Sequence, residues 1–361
     1  MTDRLDLLYS DTEDDLRAAV RALLADRAGH TVLLDRIETD TPYVPGLWTS
    51  LATDIGAAGL LVPEKLGGQG ASHREAAVVL EELGRAVTPL PYLTSAVVAA
   101  ETLLALAAES APAAELLAAV AGGGTVAVLA VPLSTAPDAD PPHAPSAAAV
   151  ADAIAADVLL VPRADGLYAV PAGEATVEPQ TPLDLTRPLA RVTVEPGTGT
   201  RLAGPDAARA AVRRGLLAGA GLLASEQLGL AERCLEDTVR YTRERHQFNR
   251  PVGSFQALKH RMAQLWLDVV GARAAARAAA DALARGAEDA PLTVAVAQAY
   301  CSKVAVRAAE ECVQLHGGIG MTWEHPAHLA LKRAKADRIA FGPAGRHQDA
   351  IAALADLPAP A

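Results

Sequence analysis

The stretch RERHQFNRPVGSFQ, residues 243–256, lies between two long alanine-rich runs with helical periodicity. Pro251 lacks a backbone donor and stops the first run. If that helix persists to the break, Arg245 and Phe248 stand three residues apart on one face. A guanidinium beside an aromatic ring suits a nucleotide, the cation meeting phosphate oxygens and the ring packing on a base. Gln256, on the next helix, brings an amide that both donates and accepts. Taken alone, the spacing favours a plainer alternative, an arginine in a surface ion pair and a phenylalanine plugging a helix corner.

Working outward, the helical pattern dominates both ends of the chain. Residues 1–122 read as an N-terminal helical domain. The run DTEDDLRAAVRALLADR (11–27) has Ser10 or Asp11 as its cap, acids in its first turn and apolar residues at helical spacing. The loop EKLGGQGAS has glycines suited to positive φ, and Pro89 and Pro91 mark a corner between helices. After the glycines at 122–124 the pattern changes to short runs such as TVAVLAV, DVLLVP, GLYAV, ATVEP and ARVTVEP. Residues 123–204 therefore read as a small, mostly antiparallel β-domain, with PLSTAPDADPPHAPS (132–146) as an exposed loop. Residues 205–361 return to long helices, read as about 206–245, 254–286 and 291–317, and form a C-terminal four-helix-type bundle with a tail helix. The fold class is mainly α with a central β-domain.

Composition removes several function classes. The 361 residues carry a net charge of −11, and no basic patch offsets it, which argues against nucleic acid. Aromatics are only 3% of the chain, and no stretch of about 18 uncharged apolar residues spans a membrane. The N-terminus is acidic and lacks an apolar signal region, so the expected location is cytoplasmic. Cys234, Cys301 and Cys312 show neither CxxC nor CxxH spacing, so neither a disulfide framework nor a metal site is expected. His260 reads as a packing or hydrogen-bonding residue on a helix face.

A second stretch, QLHGGIGMTWEHP (314–326), ends a helix with Gly317, Gly318 and Gly320. Such glycines let a backbone approach a ligand closely, and Gln314 sits one turn earlier. As a bare pattern it also fits a helix C-cap, and its context excludes Rossmann and P-loop readings. Together with GLLVPEKLGGQGAS, VVLEELGRAVTPLPYL, EQLGLAERCLEDTVRYTRERHQFNRPVGSFQALKHRMAQLWLD and CVQLHGGIGMTWEHPAHLALKRAKA, these stretches resemble the acyl-CoA dehydrogenase family over most of the chain. The resemblance implies FAD, an acyl-CoA thioester substrate, an electron-transfer flavoprotein as acceptor and assembly into dimers or dimers of dimers. It also implies that Arg245, Gln256, Gln314, Gly317 and Gly318, with Gln247 and Phe248, hold the ADP half of an FAD seated mainly in a neighbouring subunit. Asn249 departs from the pattern, which has Gly after the Phe.

The family's reaction needs a carboxylate to take the proton α to the thioester. In most members the base is a Glu before Gly-Thr near the C-terminus; the matching segment RIAFGPAGRHQD reads Phe341. In a minority it lies early in the first C-terminal helix; that position is Gly219. No catalytic residue is identified. Glu226, two turns on, reads as an interhelical ion pair, and Asp337 faces away from Phe341 by helical phase. The Gly-Ser-Asp loop and the Trp-containing strand that seat the flavin ring are also missing. The leading expectation is a partner chain that supplies the ADP clamp to a homologous subunit in a heterotetramer. The alternatives are a self-sufficient homo-oligomeric flavoenzyme with an unaligned base and a flavin-free structural or regulatory homologue.

Overall fold

The computed structural model describes residues 7–140 and 143–357. Ser10 caps α1 (Asp11–Arg27), and the Glu13 carboxylate returns to the Ser10 N–H at 2.6 Å. Then follow α2 (His30–Ile37), the single turn α3 (Leu47–Thr49) and α4 (His73–Ala86), which Ser72 and Glu75 cap in the same way. A left-handed Val87 ends α4 ahead of the Pro89–Pro91 corner. A π-helical segment, Tyr92–Ala99, runs into α5 (Ala100–Leu104), and α6 (Ala111–Ala121) precedes the glycines. In the EKLGGQGAS loop, Gly67 and Gly70 take positive φ as expected.

The strands are β1 (Ala127–Leu129), β2 (Ser146–Ala151), β3 (Val158–Arg163), β4 (Gly166–Pro171), β5 (Thr176–Gln180), β6 (Leu189–Thr193) and β7 (Thr200–Ala203). One sheet has the order β1-β3-β4-β7 and the other β2-β6-β5; only β1 and β3 pair in parallel. Alternation along β1 and β3 gives each face its partner. Ala127, Leu129 and Leu160 join the helical core, whereas Val128, Leu159 and Val161 pack between the sheets. The segment 132–146 is not merely an exposed loop. Leu133 bonds Ala149 and Phe341 through its backbone, and Ala136 is buried; residues 141–142 lie outside the described part.

The C-terminal region comprises α7 (Pro205–Glu244), the hairpin β8 (His246–Gln247) and β9 (Arg250–Pro251), α8 (Gln256–Ala284), α9 (Ala290–His316), α10 (Ala327–Asp337) and α11 (Ala344–Leu354). Small residues let these helices approach closely. A Cβ on Gly229 of α7 would lie 1.8 Å from the Glu81 carbonyl oxygen of α4, and one on Gly84 would lie 2.0 Å from the Glu226 carbonyl oxygen. Each helix thus gives up a side chain where the other's backbone enters. Ala272, Ala276, Ala279 and Ala280 bury the inner face of α8. Among the described residues, no helix is long and apolar enough to cross a membrane.

A buried charge cluster ties the β-domain to the C-terminal helices. Arg333 of α10 bonds Asp184 and Glu226, each at 2.5 Å, and donates to the Thr186 carbonyl at 2.8 Å. Arg187 pairs with Glu226 and lies 3.6 Å from Asp337. Burial alone would raise Glu226, but the two guanidinium groups hold it below its ordinary value. Asp337 is the surplus acid: burial and then the Glu226 charge push it up to about 8.

Two predictions follow from this packing. Gly229→Ala forces α4 and α7 apart and lowers unfolding stability by about 2 kcal/mol or more, read by denaturant titration. For Asp337, the folded state keeps a proton that the unfolded chain releases near its ordinary 3.8, so stability falls as pH rises from 4 to 8. Asp337→Asn should remove that slope. Its stability should match the parent near pH 4 and exceed it by at least about 1 kcal/mol at pH 8.

Candidate functional site

The helix of α7 ends at Glu244, before the quoted arginine. Arg245 is already extended (φ −75°, ψ 120°), and its carbonyl accepts from the Val252 N–H at 2.8 Å as the hairpin closes. Phe248 (φ 52°) and Asn249 (φ 62°) are the two turn residues between β8 and β9. Arg245 and Phe248 therefore do not share a helix face, which corrects the reading from spacing. Two left-handed residues in succession suit the right-handed twist of a two-residue hairpin, and Asn tolerates that conformation after Gly. The departure at Asn249 is thus compatible with the turn.

Phe248 is 87% exposed and meets Phe255 edge-on at 6.0 Å, so it plugs no helix corner. The Arg250 guanidinium lies over the Phe255 ring at 3.9 Å. Arg245, Gln256 and Gln314 are exposed, and among the described residues their side chains make no hydrogen bond or ion pair. The Gln247 amide donates to the neighbouring His246 carbonyl at 2.9 Å. At the end of α9, Gly317 (φ 63°, ψ −141°) adopts a conformation closed to side-chain-bearing residues, and open space lies over Gly317 and Gly318. The two stretches are joined through rings: His316 lies 4.5 Å from Tyr241 on the last turn of α7 and 4.5 Å from His325. Beyond them Lys332 lies over Trp323 at 4.1 Å. Composition offered no signal for Tyr241, Arg250 or Trp323.

The two positions that count as bases in the resemblance are one place in space. A Cβ on Gly219 would meet the Phe341 ring at 2.8 Å and Val98 at 2.6 Å. Phe341 is buried and left-handed (φ 53°), and its N–H donates to the Leu133 carbonyl at 2.8 Å. Only about 20 Å³ remains open here, bounded by Thr94, Val98, Val131, Leu133, Leu216 and Phe341 among others, with no carboxylate in the lining. Glu226 is held as the ion-paired residue its position suggested, and Asp337 points into the same cluster. His260 is exposed on α8, contrary to the packing role expected of it.

Residues 10–124 match the acyl-CoA dehydrogenase N-terminal domain, and residues 209–355 match the acyl-CoA dehydrogenase C-terminal domain. The acyl-CoA dehydrogenase IpdE2 of Mycobacterium tuberculosis is 38% identical over 325 residues, covering 88% of this chain and 89% of its own. The crystal structure of the ChsE4-ChsE5 complex from Mycobacterium tuberculosis gives a TM-score of 0.84 at 26% identity, covering 98% of this chain and 100% of that one. A Tcur3481-Tcur3483 steroid ACAD variant gives 0.82 at 26% identity, covering 96% and 98%. With both domains matched and a relative this similar along most of its length, the chain belongs to the acyl-CoA dehydrogenase family.

Proposed function

We propose that this chain is the clamp-bearing partner in a heteromeric FAD-dependent acyl-CoA dehydrogenase, in which a homologous subunit carries the base and seats the flavin ring. The observation that carries this reading is the packing of Phe341 on Gly219. It fills both base positions and leaves room for no more than a solvent-sized molecule. Bound FAD supplies hydride acceptance for desaturation of an acyl-CoA thioester. A proton must leave the α carbon in the same reaction, and this pocket presents no group to take it.

The other end of α7 has the opposite character. Arg245 supplies a fixed cation, Gln256 and Gln314 supply amides, and Gly317 and Gly318 leave the backbone uncovered. That donor set fits a diphosphate and its adenosine, with Gln247 and Phe248 at its edge. The base position and the clamp are about 38 Å apart along α7, at 1.5 Å per residue from Gly219 to Glu244. With the two ends of α7 this far apart, a clamp at Arg245 acts, on this reading, on the ADP half of an FAD seated in another subunit. The heteromeric reading is supported by the likeness to the ChsE4-ChsE5 complex, and a bulky, steroid-like acyl-CoA by the likeness to a steroid ACAD. We place the assembly in the cytoplasm, with an electron-transfer flavoprotein as its acceptor and domains at 1–122, 123–204 and 205–361.

Two outcomes test the proposal. Purified alone, the chain should be colourless. Co-expressed with a homologue bearing Glu at a base position, it should yield a yellow complex with fewer than one flavin per chain that reduces a dye with acyl-CoA. One FAD per chain and turnover by the isolated homo-oligomer would refute the assignment. Within the complex, Arg245→Ala should weaken FAD binding about 10- to 100-fold, the loss of one hydrogen bond to a charged group, with helical circular dichroism unchanged; fluorescence titration of released flavin reads it.

A further inference from the structure

A cavity of about 360 Å³ opens between α1, α2, α4, α7, α9 and α10, away from the Phe341 pocket. The charges around it are already paired. Arg21 holds Glu82 at 2.6 Å, Arg85 holds Glu236 at 2.6 Å and Arg233 holds Asp237 at 2.7 Å. Among the described residues of the lining, no unpaired guanidinium or carboxylate remains for an ionic ligand. What remains is a pair of thiols, Cys234 of α7 and Cys312 of α9, both in the lining.

The two thiols are inequivalent. The Cys312 thiol beside it, with burial, pushes Cys234 well above the ordinary thiol range. The Cys234 thiol in turn pulls Cys312 down against the opposing effect of burial, with help from His316 and Thr238. His316 Nδ1 lies 3.6 Å from the Cys312 sulfur and 2.7 Å from the Cys312 carbonyl oxygen. Both are acceptors, so Nδ1 carries the proton, which it shares between carbonyl and sulfur. Burial lowers His316, but its contacts with Cys312 outweigh burial and raise it. Burial and the His316 charge keep His325, its ring neighbour, depressed. Tyr241, His30, Asp237 and Arg233, with Arg21, Glu82 and Arg85 elsewhere in the lining, are the other titratable groups around this place among the described residues. A thiol of lowered pKa beside an imidazole N–H and a second thiol is the arrangement of a reactive cysteine with its resolving partner.

We propose that Cys312 is an oxidation site for small neutral hydroperoxides entering through this cavity, and that Cys234 is its resolving thiol. The Cys312 sulfur attacks the peroxide, forming an S–O bond as the O–O bond breaks. Sulfur is oxidised by two electrons, and the departing hydroxide or alkoxide takes up a proton as water or alcohol. Cys234 then attacks the sulfenic acid, forming the disulfide and releasing water. The product ties α7 to α9 and removes the anionic neighbour of His316, the residue before Gly317. The proposal does not depend on the functional reading above. Because Cys312 is 3% exposed and Cys234 2%, a bulky aromatic disulfide reagent should not reach either thiol in the folded chain.

Cys301 is the internal control. It is buried, its thiol donates to the Ala272 carbonyl, and burial pushes it up to about 12. The folded chain is exposed to hydrogen peroxide at pH 7, denatured in N-ethylmaleimide, and read by peptide mass spectrometry. The expected result is a dithiothreitol-reversible Cys234–Cys312 link, forming at least about tenfold faster than Cys301 is modified. In Cys234→Ser, dimedone should label Cys312; in Cys312→Ser, Cys234 should stay free. Oxidation of Cys234 and Cys312 no faster than that of Cys301, or an unlabelled Cys312 in Cys234→Ser, would overturn the proposal.

Discussion

The reciprocal contact of α4 and α7 at Gly84 and Gly229 is the constraint on which the architecture rests. Two carbonyl oxygens occupy the positions that Cβ atoms would fill, so the helices meet backbone to backbone. This close approach fixes the position of α7 relative to the N-terminal helices. It also fixes what the rest of α7 can reach. Gly219, upstream, is set against Val98 and the Phe341 ring, and Tyr241, downstream, against His316 beside the glycine turn. A single 40-residue helix therefore holds two unlike ends in a fixed relation. Their separation along a rigid rod, more than any single side chain, is what the proposed trans-subunit role of Arg245 rests on.

The charge cluster around Glu226 works with that contact. Buried ions gain little net stability, because desolvation costs about as much as attraction returns. Their geometry is demanding, however. Arg333 satisfies Asp184, Glu226 and Thr186 only when α10, α7 and the turn before β6 are all in place. The cluster thus contributes specificity of arrangement, and Asp337 adds a pH-sensitive strain to it.

Much of the fold was legible because helical periodicity and glycine punctuation are local signals. The runs near 206–245, 254–286 and 291–317 form α7, α8 and α9 within a few residues of the expected bounds. β2 was not legible. Its SAAAVA run has little β-propensity and becomes a strand only through pairing with β6. The Arg245–Phe248 spacing misled for a related reason. Helical phase was extended past Glu244 into residues whose left-handed conformations close a hairpin. That Gly219 and Phe341 carry no carboxylate was visible at each position separately, but their adjacency was not, since nothing local links residues so distant in the chain. The same holds for Cys234 and Cys312, whose spacing in sequence excludes familiar motifs while the α7–α9 packing brings them together.

The pairing of Gly219 with Phe341 shows why this place does not readily accommodate a carboxylate. A large ring has been fitted against a residue with no side chain, and the remaining space is about 20 Å³. A carboxylate restored at position 341 would lie among Val98, Leu133 and Leu216 with no cation in the lining. An unpaired buried charge costs several kcal/mol or takes up a proton, and removal of the ring would leave an apolar void besides. The Leu133 backbone, which accepts the Phe341 N–H, holds residue 341 in this place. The exclusion of a carboxylate from this place is thus built into the packing of Phe341 between α7 and the β-domain. The helix end at Arg245 lies too far along α7 to share that commitment.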